Sequence, residues 1–270
     1  MSDFRTFEQT GWSDTGVASA CDEGFGSVTR QVTPLLLDTV ALQPGARLLD
    51  IACGTGYVSA EADKRGAAPT GIDFSPAMLA LARKRLPGID LREGDAQALP
   101  FPDGSFAVAV IAFGMLHFDD PHAAVREAYR VLEPGGRIAL SVWTQPEPGT
   151  VRGLIIGAVR EHGRLDVPVP PAPDFREDDP DEIAGALRTA GFEDVAISIV
   201  RPDWRERDGA ALLDAIERSS VRMRALLRGQ TDAARERIRD AVAAETAVFQ
   251  REGGIAVPIP VIVASGRKPD

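Results

Sequence analysis

LLDIACGTGYVS, residues 48–59, reads as an apolar strand that ends in an acid and turns through glycine into a helix. Gly54 and Gly56 let the backbone pass within contact distance of a ligand, because neither has a side chain to intrude. Asp50 then stands at the carboxyl end of the strand, where it can face a cationic amine. A glycine-containing turn is weak evidence by itself, so the test is whether the following strands end in matching polar groups. They do. The second strand ends in Gly71-Ile72-Asp73, where an acid can accept both hydroxyls of a ribose. The third strand-to-helix connection holds Gly94-Asp95-Ala96, an acid beside a small residue, which suits an adenine amine and close approach of the ring.

Working outward, short apolar runs at 47–51, 68–72, 89–92, 107–112 and 136–143 alternate with helical patterns at 56–65, 75–86 and 121–131. That alternation is the pattern of βα units around a parallel sheet. Ser75 and Pro76 supply an N-cap and a first helical residue, and Asp120-Pro121 repeats the arrangement. A helix over 26–42 precedes the first strand, with Pro34 weakening its first half. Beyond Trp143, five prolines between 168 and 180 rule out regular structure there. A helix over 181–190, a strand over 195–200 and a mostly helical stretch of about 50 residues follow. The run 255–265 reads as a closing strand, with Pro258 and Pro260 arguing for an edge, a bulge or an early break. We therefore expect a single domain over 1–270, with a helical cap segment at 1–43, a flap at 144–180 and a helical insertion at 203–250 between the last two strands.

Composition narrows the partners. The chain has 270 residues, 30 Lys and Arg against 40 Asp and Glu, a formal net charge of -10 and two cysteines. Cys21 and Cys53 can form neither a four-thiolate zinc site nor a disulfide framework, which points to reduced thiols in the cytoplasm. The start lacks a basic segment followed by an apolar run, and no stretch is long and apolar enough to span a bilayer, so no membrane partner is expected. The acidic balance disfavours nucleic acid, because neutralising phosphates takes clustered Lys and Arg. The arginines between 218 and 239 are interleaved with acids and read as a solvated helix face. A small molecule is the expected partner, and the reading leaves room for a homodimer.

Taken together, LLDIACGTG, GIDFSPAML, EGDAQALPFPDGSFAVAV and VLEPGGRIALSVW resemble the class I S-adenosylmethionine-dependent methyltransferases, in particular the small-molecule and quinone-type group. The resemblance covers roughly residues 40–145. It implies an α/β, Rossmann-like, doubly wound seven-stranded sheet of order 3-2-1-4-5-7-6 with the last strand antiparallel, here with a helical lid insertion. It further implies S-adenosyl-L-methionine as cofactor, with Asp50, Ala52, Gly54, Thr55 and Gly56 at the methionine end and Asp73 on the ribose. Phe74 and Met78 line the cofactor site, Asp95 and Ala96 meet the adenine, and Phe113 and Gly114 follow the fourth strand. Ala52 departs from the family pattern, which has a glycine there; its methyl should narrow the turn slightly and be tolerated.

A nicotinamide dehydrogenase is the nearest competing use of such a turn, but an acid immediately before the turn would repel a pyrophosphate and attract an ammonium. His117, just past the fourth strand, is the candidate general base for an acceptor hydroxyl, against a packing role in the loop. Trp12, Phe25, His117 and Trp204 are the candidate acceptor contacts, and Phe249 is a further candidate for pocket lining. No metal is expected: Asp119 and Asp120 lack a third ligand, and Asp120 reads as an N-cap. Cys53 sits within the turn with no adjacent histidine and reads as a small structural residue. The expected activity is methyl transfer to oxygen, carbon or nitrogen of a small, quinone-like or secondary-metabolite acceptor. The rival reading is a protein that binds the S-adenosyl compound but catalyses a different reaction, or serves as an interaction subunit.

Overall fold

The computed structural model describes residues 2–176 and 178–270. Helices α1 (Asp3–Trp12), α2 (Thr15–Glu23) and α3 (Phe25–Thr39) lead into β1 (Arg47–Ile51), α4 (Tyr57–Lys64), β2 (Ala68–Asp73), α5 (Pro76–Arg85) and β3 (Asp90–Glu93). Next come β4 (Phe106–Ala112), a 3-10 turn at Met115–His117, α6 (Pro121–Val131), β5 (Leu132–Trp143), α7 (Val151–His162), α8 (Pro180–Ala190) and β6 (Glu193–Val200). The chain continues through β7 (Asp203–Glu206), α9 (Gly209–Ser219), α10 (Val221–Arg228), α11 (Asp232–Thr246), β8 (Gln250–Arg251), β9 (Gly254–Pro258) and β10 (Val261–Arg267).

Alternation along the strands sorts their side chains onto two faces of the sheet. Leu48, Val108, Val110, Val261 and Val263 join a core with α3, α4, α7, α9 and α11, whereas Leu49, Ile51, Ala109, Ile111, Ile262 and Ala264 join a second core with α6 and α8. Both faces are covered, as a largely parallel sheet requires. Asp50 shares the parity of Leu48, so its carboxylate falls on the α4 side of the sheet.

The main sheet runs β3-β2-β1-β4-β5-β10-β6. Counting only its own strands, that is the order 3-2-1-4-5-7-6, with β10 antiparallel to both β5 and β6. Strand order reverses between β1 and β4, and the crevice beyond their carboxyl ends is where open α/β sheets bind ligands. Ser75 caps α5 and Asp120 caps α6, each with proline at the helix start.

Two expectations change. The run 255–265 is not one strand: β9 joins a three-stranded sheet with β7 and β8, and β10 joins the main sheet. Pro258 and Pro260 carry no N–H, so the ladder cannot pass through them, and Ile259 between them bonds Pro202 O at 2.9 Å. The stretch 144–180 is not irregular throughout either. Thr150 accepts a hydrogen bond from Gly153 N and starts α7, whose Leu154, Ile155, Ala158 and Val159 are buried, so a regular helix interrupts the stretch between an irregular 144–150 and the proline-rich part beyond His162. Among the described residues no helix is long and apolar enough to cross a membrane.

Trp204 in β7 is 1 % exposed and meets the Phe25 ring edge to face at 4.7 Å. Trp204→Ala is therefore expected to cost about 3–5 kcal/mol in urea unfolding, as truncation of a buried aromatic does. Ile199→Ala on the edge strand β6, at 50 % exposure, is expected to stay within about 0.5 kcal/mol.

Candidate active site

The turn after β1 is built from left-handed backbone: Ala52 has φ +56°, Gly54 +52° and Gly56 +84°. Gly56 ends the turn as the residue before α4, and a Cβ there would lie 2.9 Å from Leu86 Cδ1. A Cβ on Gly54 would meet no protein atom within 4 Å, and Gly54 lines the cavity at the sheet's carboxyl edge. Ala52 keeps the same handedness with a methyl group, at a cost of about 1–2 kcal/mol. That methyl has a neighbour: a Cβ on Gly114 would lie 2.8 Å from Ala52 Cβ, so the alanine obliges position 114 to be glycine. Phe113, also lining the cavity, has φ +57°, which gathers two strained non-glycine residues at one site.

Asp50 is 1 % exposed. Its Oδ2 accepts hydrogen bonds from Ser59 N at 2.9 Å and Ser59 Oγ at 2.7 Å, both from the first turns of α4. Its Oδ1 is buried with no hydrogen-bond partner, although the residue lines the cavity. Burial pushes the carboxyl up to about 7, against the Ser59 bonds, and the neighbouring Asp73 adds to the rise. Among the described residues no cation is paired with it. Asp73, at the tip of β2, accepts from Gly54 N and Ser75 N at 2.8 Å each, and burial raises its carboxyl as well.

An adjoining cavity shares Ala52, Asp73, Phe74 and His117 with the first and is lined further by Arg5, Glu8, Asp95 and Ala96. Burial acts to raise the Asp95 carboxyl, but bonds from Gln97 and the Arg5 guanidinium at 2.6 Å hold it below the usual carboxylate range. The two cavities together bring Asp50, Ala52, Gly54, Thr55, Asp73, Phe74, Met78, Asp95, Ala96, Phe113, Gly114, Trp12, Phe25 and His117 to one edge of the sheet. Gly56 shapes the turn behind them.

Trp204 is not among these residues. It lies behind Phe25, so it supports the wall without facing the cavity. Among the described residues, Phe249 and the proline-rich stretch likewise contribute no lining residue, and from the 203–250 segment only Ser220 does. The cover comes mainly from α1, α2 and α3. At the apolar end, Phe113 stacks on Trp143 with centroids 4.1 Å apart, and Phe25 approaches the same indole at 5.4 Å.

Residues that the motifs do not reveal complete the site. Glu8 Oε2 lies 2.7 Å from His117 Nδ1 and accepts from Trp12 Nε1 at 3.0 Å. Asp22 accepts from Thr55 Oγ1 at 2.6 Å and from Arg85, whose guanidinium lies over the Tyr57 ring. A signal for Glu8 existed: it falls on the buried stripe of α1 with Phe4 and Trp12, a place where an acid is out of pattern. Asp22 carried no such signal. Burial pushes the Cys21 thiol up to about 12 and raises that of Cys53, so neither is a ready nucleophile. Among the described residues no group of three His, Cys, Asp or Glu side chains is placed to hold a metal ion.

The contact between Ala52 and Gly114 can be isolated. Gly114→Ala is expected to cost about 1–3 kcal/mol in urea unfolding through overpacking. Adding Ala52→Gly should recover part of that loss, a positive coupling that independent sites would not give.

Comparison with known proteins agrees with this architecture. Residues 49–140 match the family described as methyltransferase domain. The demethylmenaquinone methyltransferase of Renibacterium salmoninarum is 40% identical over 124 residues, covering 46% of this chain and 52% of that protein. A second relative of the same name, from Thermus thermophilus, is 46% identical over 115 residues, 40% of this chain and 52% of its own length. The chain thus spans about half the length of the relatives it matches. The YcgJ protein of Bacillus subtilis shares the fold, with a TM-score of 0.59 at 22% identity over 89% of this chain and 99% of its own. Residues 49–140, which run from β1 into β5 and hold the glycine turn, are thus similar to a methyltransferase domain, on a sheet of the order 3-2-1-4-5-7-6.

Proposed function

We propose that this protein transfers the methyl group of S-adenosylmethionine to a small, quinone-like acceptor held against the carboxyl edge of its sheet. The observation that carries the reading is Asp50, a buried carboxylate with one oxygen tied to Ser59 and the other unpaired in a cavity. That donor set fits the cofactor: an ammonium would satisfy Oδ1, and the open backbone at Gly54 leaves room beside it. Asp73 would accept the ribose hydroxyls, while Asp95 and Ala96 would meet the adenine. Thr55, Phe74, Met78, Phe113 and Gly114 would close the walls. When bound, S-adenosylmethionine supplies a methyl group already activated on a sulfonium, so the protein's task is chiefly alignment.

At the acceptor end, Phe25, Phe113, Trp143 and Leu116 offer flat apolar surface, which suits an aromatic ring better than a charged amine. Trp12 and His117 stand beside it, and His117 would take the proton of an acceptor hydroxyl. The relatives' name, demethylmenaquinone methyltransferase, supports a quinone nucleus as the acceptor class. The net charge of -10 favours a small acceptor over a polyanion. A cytoplasmic setting with reduced Cys21 and Cys53 is part of the same proposal.

The sign of the Asp50 shift yields a test. Its folded value near 7 lies above the ordinary 3.8, so the stability tied to its protonated form is complete below about pH 4 and is lost as pH rises through 7. Asp50→Asn, neutral throughout, is expected to raise the urea midpoint at pH 8, with the gain shrinking towards pH 5. Its affinity for S-adenosylhomocysteine should nevertheless fall about tenfold or more by isothermal titration. Unchanged affinity would remove Asp50 from the cofactor site. For the reaction, radiolabelled S-adenosylmethionine incubated with reduced 1,4-naphthoquinones should yield labelled product. Binding of the cofactor without label transfer to any quinol, phenol or amine tried would favour a non-methylating role.

A further inference from the structure

We propose that Glu8 is the positioning residue for His117, holding the imidazole in the tautomer that presents Nε2 to the cavity as proton acceptor for a hydroxyl-bearing acceptor of the quinol type. This rests on the reading of the cavity as a methyl-transfer site and names the acceptor group that site would take. Glu8 comes from α1, outside the segment that matches the methyltransferase family, and its side chain is 1 % exposed. Its Oε2 lies 2.7 Å from His117 Nδ1. Two lone pairs could not face each other at that distance, so one proton lies between them, and under the proposal it sits on Nδ1. The indole of Trp12, a donor only, has Glu8 Oε2 at 3.0 Å and Nδ1 at 3.2 Å. With Nδ1 protonated, its N–H has one acceptor to choose, the carboxylate. Nε2 is left with its lone pair, on a ring that lines both cavities and packs edge-on against Trp12.

The arrangement is costly if it serves packing alone. Glu8 Oε1 is buried without a partner, and among the described residues the carboxylate's ion-pair partner is His117. Burying an acid this way is expensive unless a cation forms beside it. An imidazolium would be that cation: as the acceptor's O–H bond breaks, its electron pair stays on oxygen and the proton moves to Nε2, opposite the Glu8 charge. Other charged groups share the neighbourhood. Asp73 faces His117 from β2, while Arg5 on α1, Asp95 after β3 and Asp119 after the 3-10 turn line the adjoining cavity. Arg5 is paired with Asp95, which leaves Glu8 as the acid in direct contact.

The test is nitrogen-15 NMR of the His117 ring in the full chain, with titration of the imidazole in wild type, Glu8→Gln and Trp12→Phe. Wild type is expected to show the Nδ1–H tautomer when neutral. Glu8→Gln should lower the imidazole pKa by about 1 unit or more, the effect of removing an adjacent carboxylate, while Trp12→Phe, which keeps the charge, should move it by less than half as much. An Nε2–H tautomer in wild type, or equal shifts in the two variants, would overturn the proposal. If Glu8→Gln does not fold, the wild-type tautomer decides. Titration of wild type with S-adenosylhomocysteine runs alongside: absence of binding refutes the cofactor reading, whereas binding with the wrong tautomer refutes only the role of Glu8.

Discussion

A carboxylate that is buried, half satisfied and, among the described residues, without a counter-charge organises this site. Asp50 reaches the α4 side of the sheet because the two-residue period of β1 puts it there, and Ser59 at the start of α4 captures one oxygen. The same short connection turns from strand to helix in the five residues 52–56, and it does so with left-handed backbone at Ala52, Gly54 and Gly56. The polarity of the cavity and the strain of its floor thus share one origin. Desolvation of Asp50 costs stability in the free protein and is offset when a cation is delivered to Oδ1, a trade between folding and binding common at functional sites.

The second constraint is that the half of the domain that carries the motifs does not make the pocket alone. Helices α1 to α3 cover the sheet edge and are tied to it by polar contacts: Trp12 O accepts from Ser75 Oγ at 2.7 Å, Arg5 pairs with Asp95, and Asp22 bonds Thr55 and Arg85. Ser75, Asp95 and Thr55 lie in the connections after β2, β3 and β1, so these contacts join α1 and α2 to the connections whose residues we propose face the cofactor. Order in the cover and geometry at the cofactor residues are therefore coupled, and apolar side chains from the cover, Trp12 and Phe25, reach the side where the acceptor would lie.

Legibility in the sequence followed the range of the interactions. Asp50 and Asp73 could be placed because each stands at the end of a short apolar strand before a turn, and Asp95 because it sits in the connection after the third strand, all local patterns. The sheet order came with the resemblance and matches the structure. The split at Pro258 and Pro260 was readable as an interruption, but not the transfer to a second sheet, which depends on pairing with β7. Glu8 and His117 are 109 positions apart, and Asp22 and Arg85 are 63 apart, so no local spacing could have joined them. Trp204 shows the opposite error: an aromatic residue near the expected pocket turned out to be core, because Phe25 stands between it and the cavity. Ala52 was read as a minor narrowing, yet its methyl also fixes the identity of residue 114 across the site.

The most direct test is a crystal structure of the chain with S-adenosylhomocysteine. The account predicts the ammonium within hydrogen-bond distance of Asp50 Oδ1 and the ribose hydroxyls on Asp73. The compound bound with its ammonium away from Asp50, or lodged outside the crevice between β1 and β4, would contradict it.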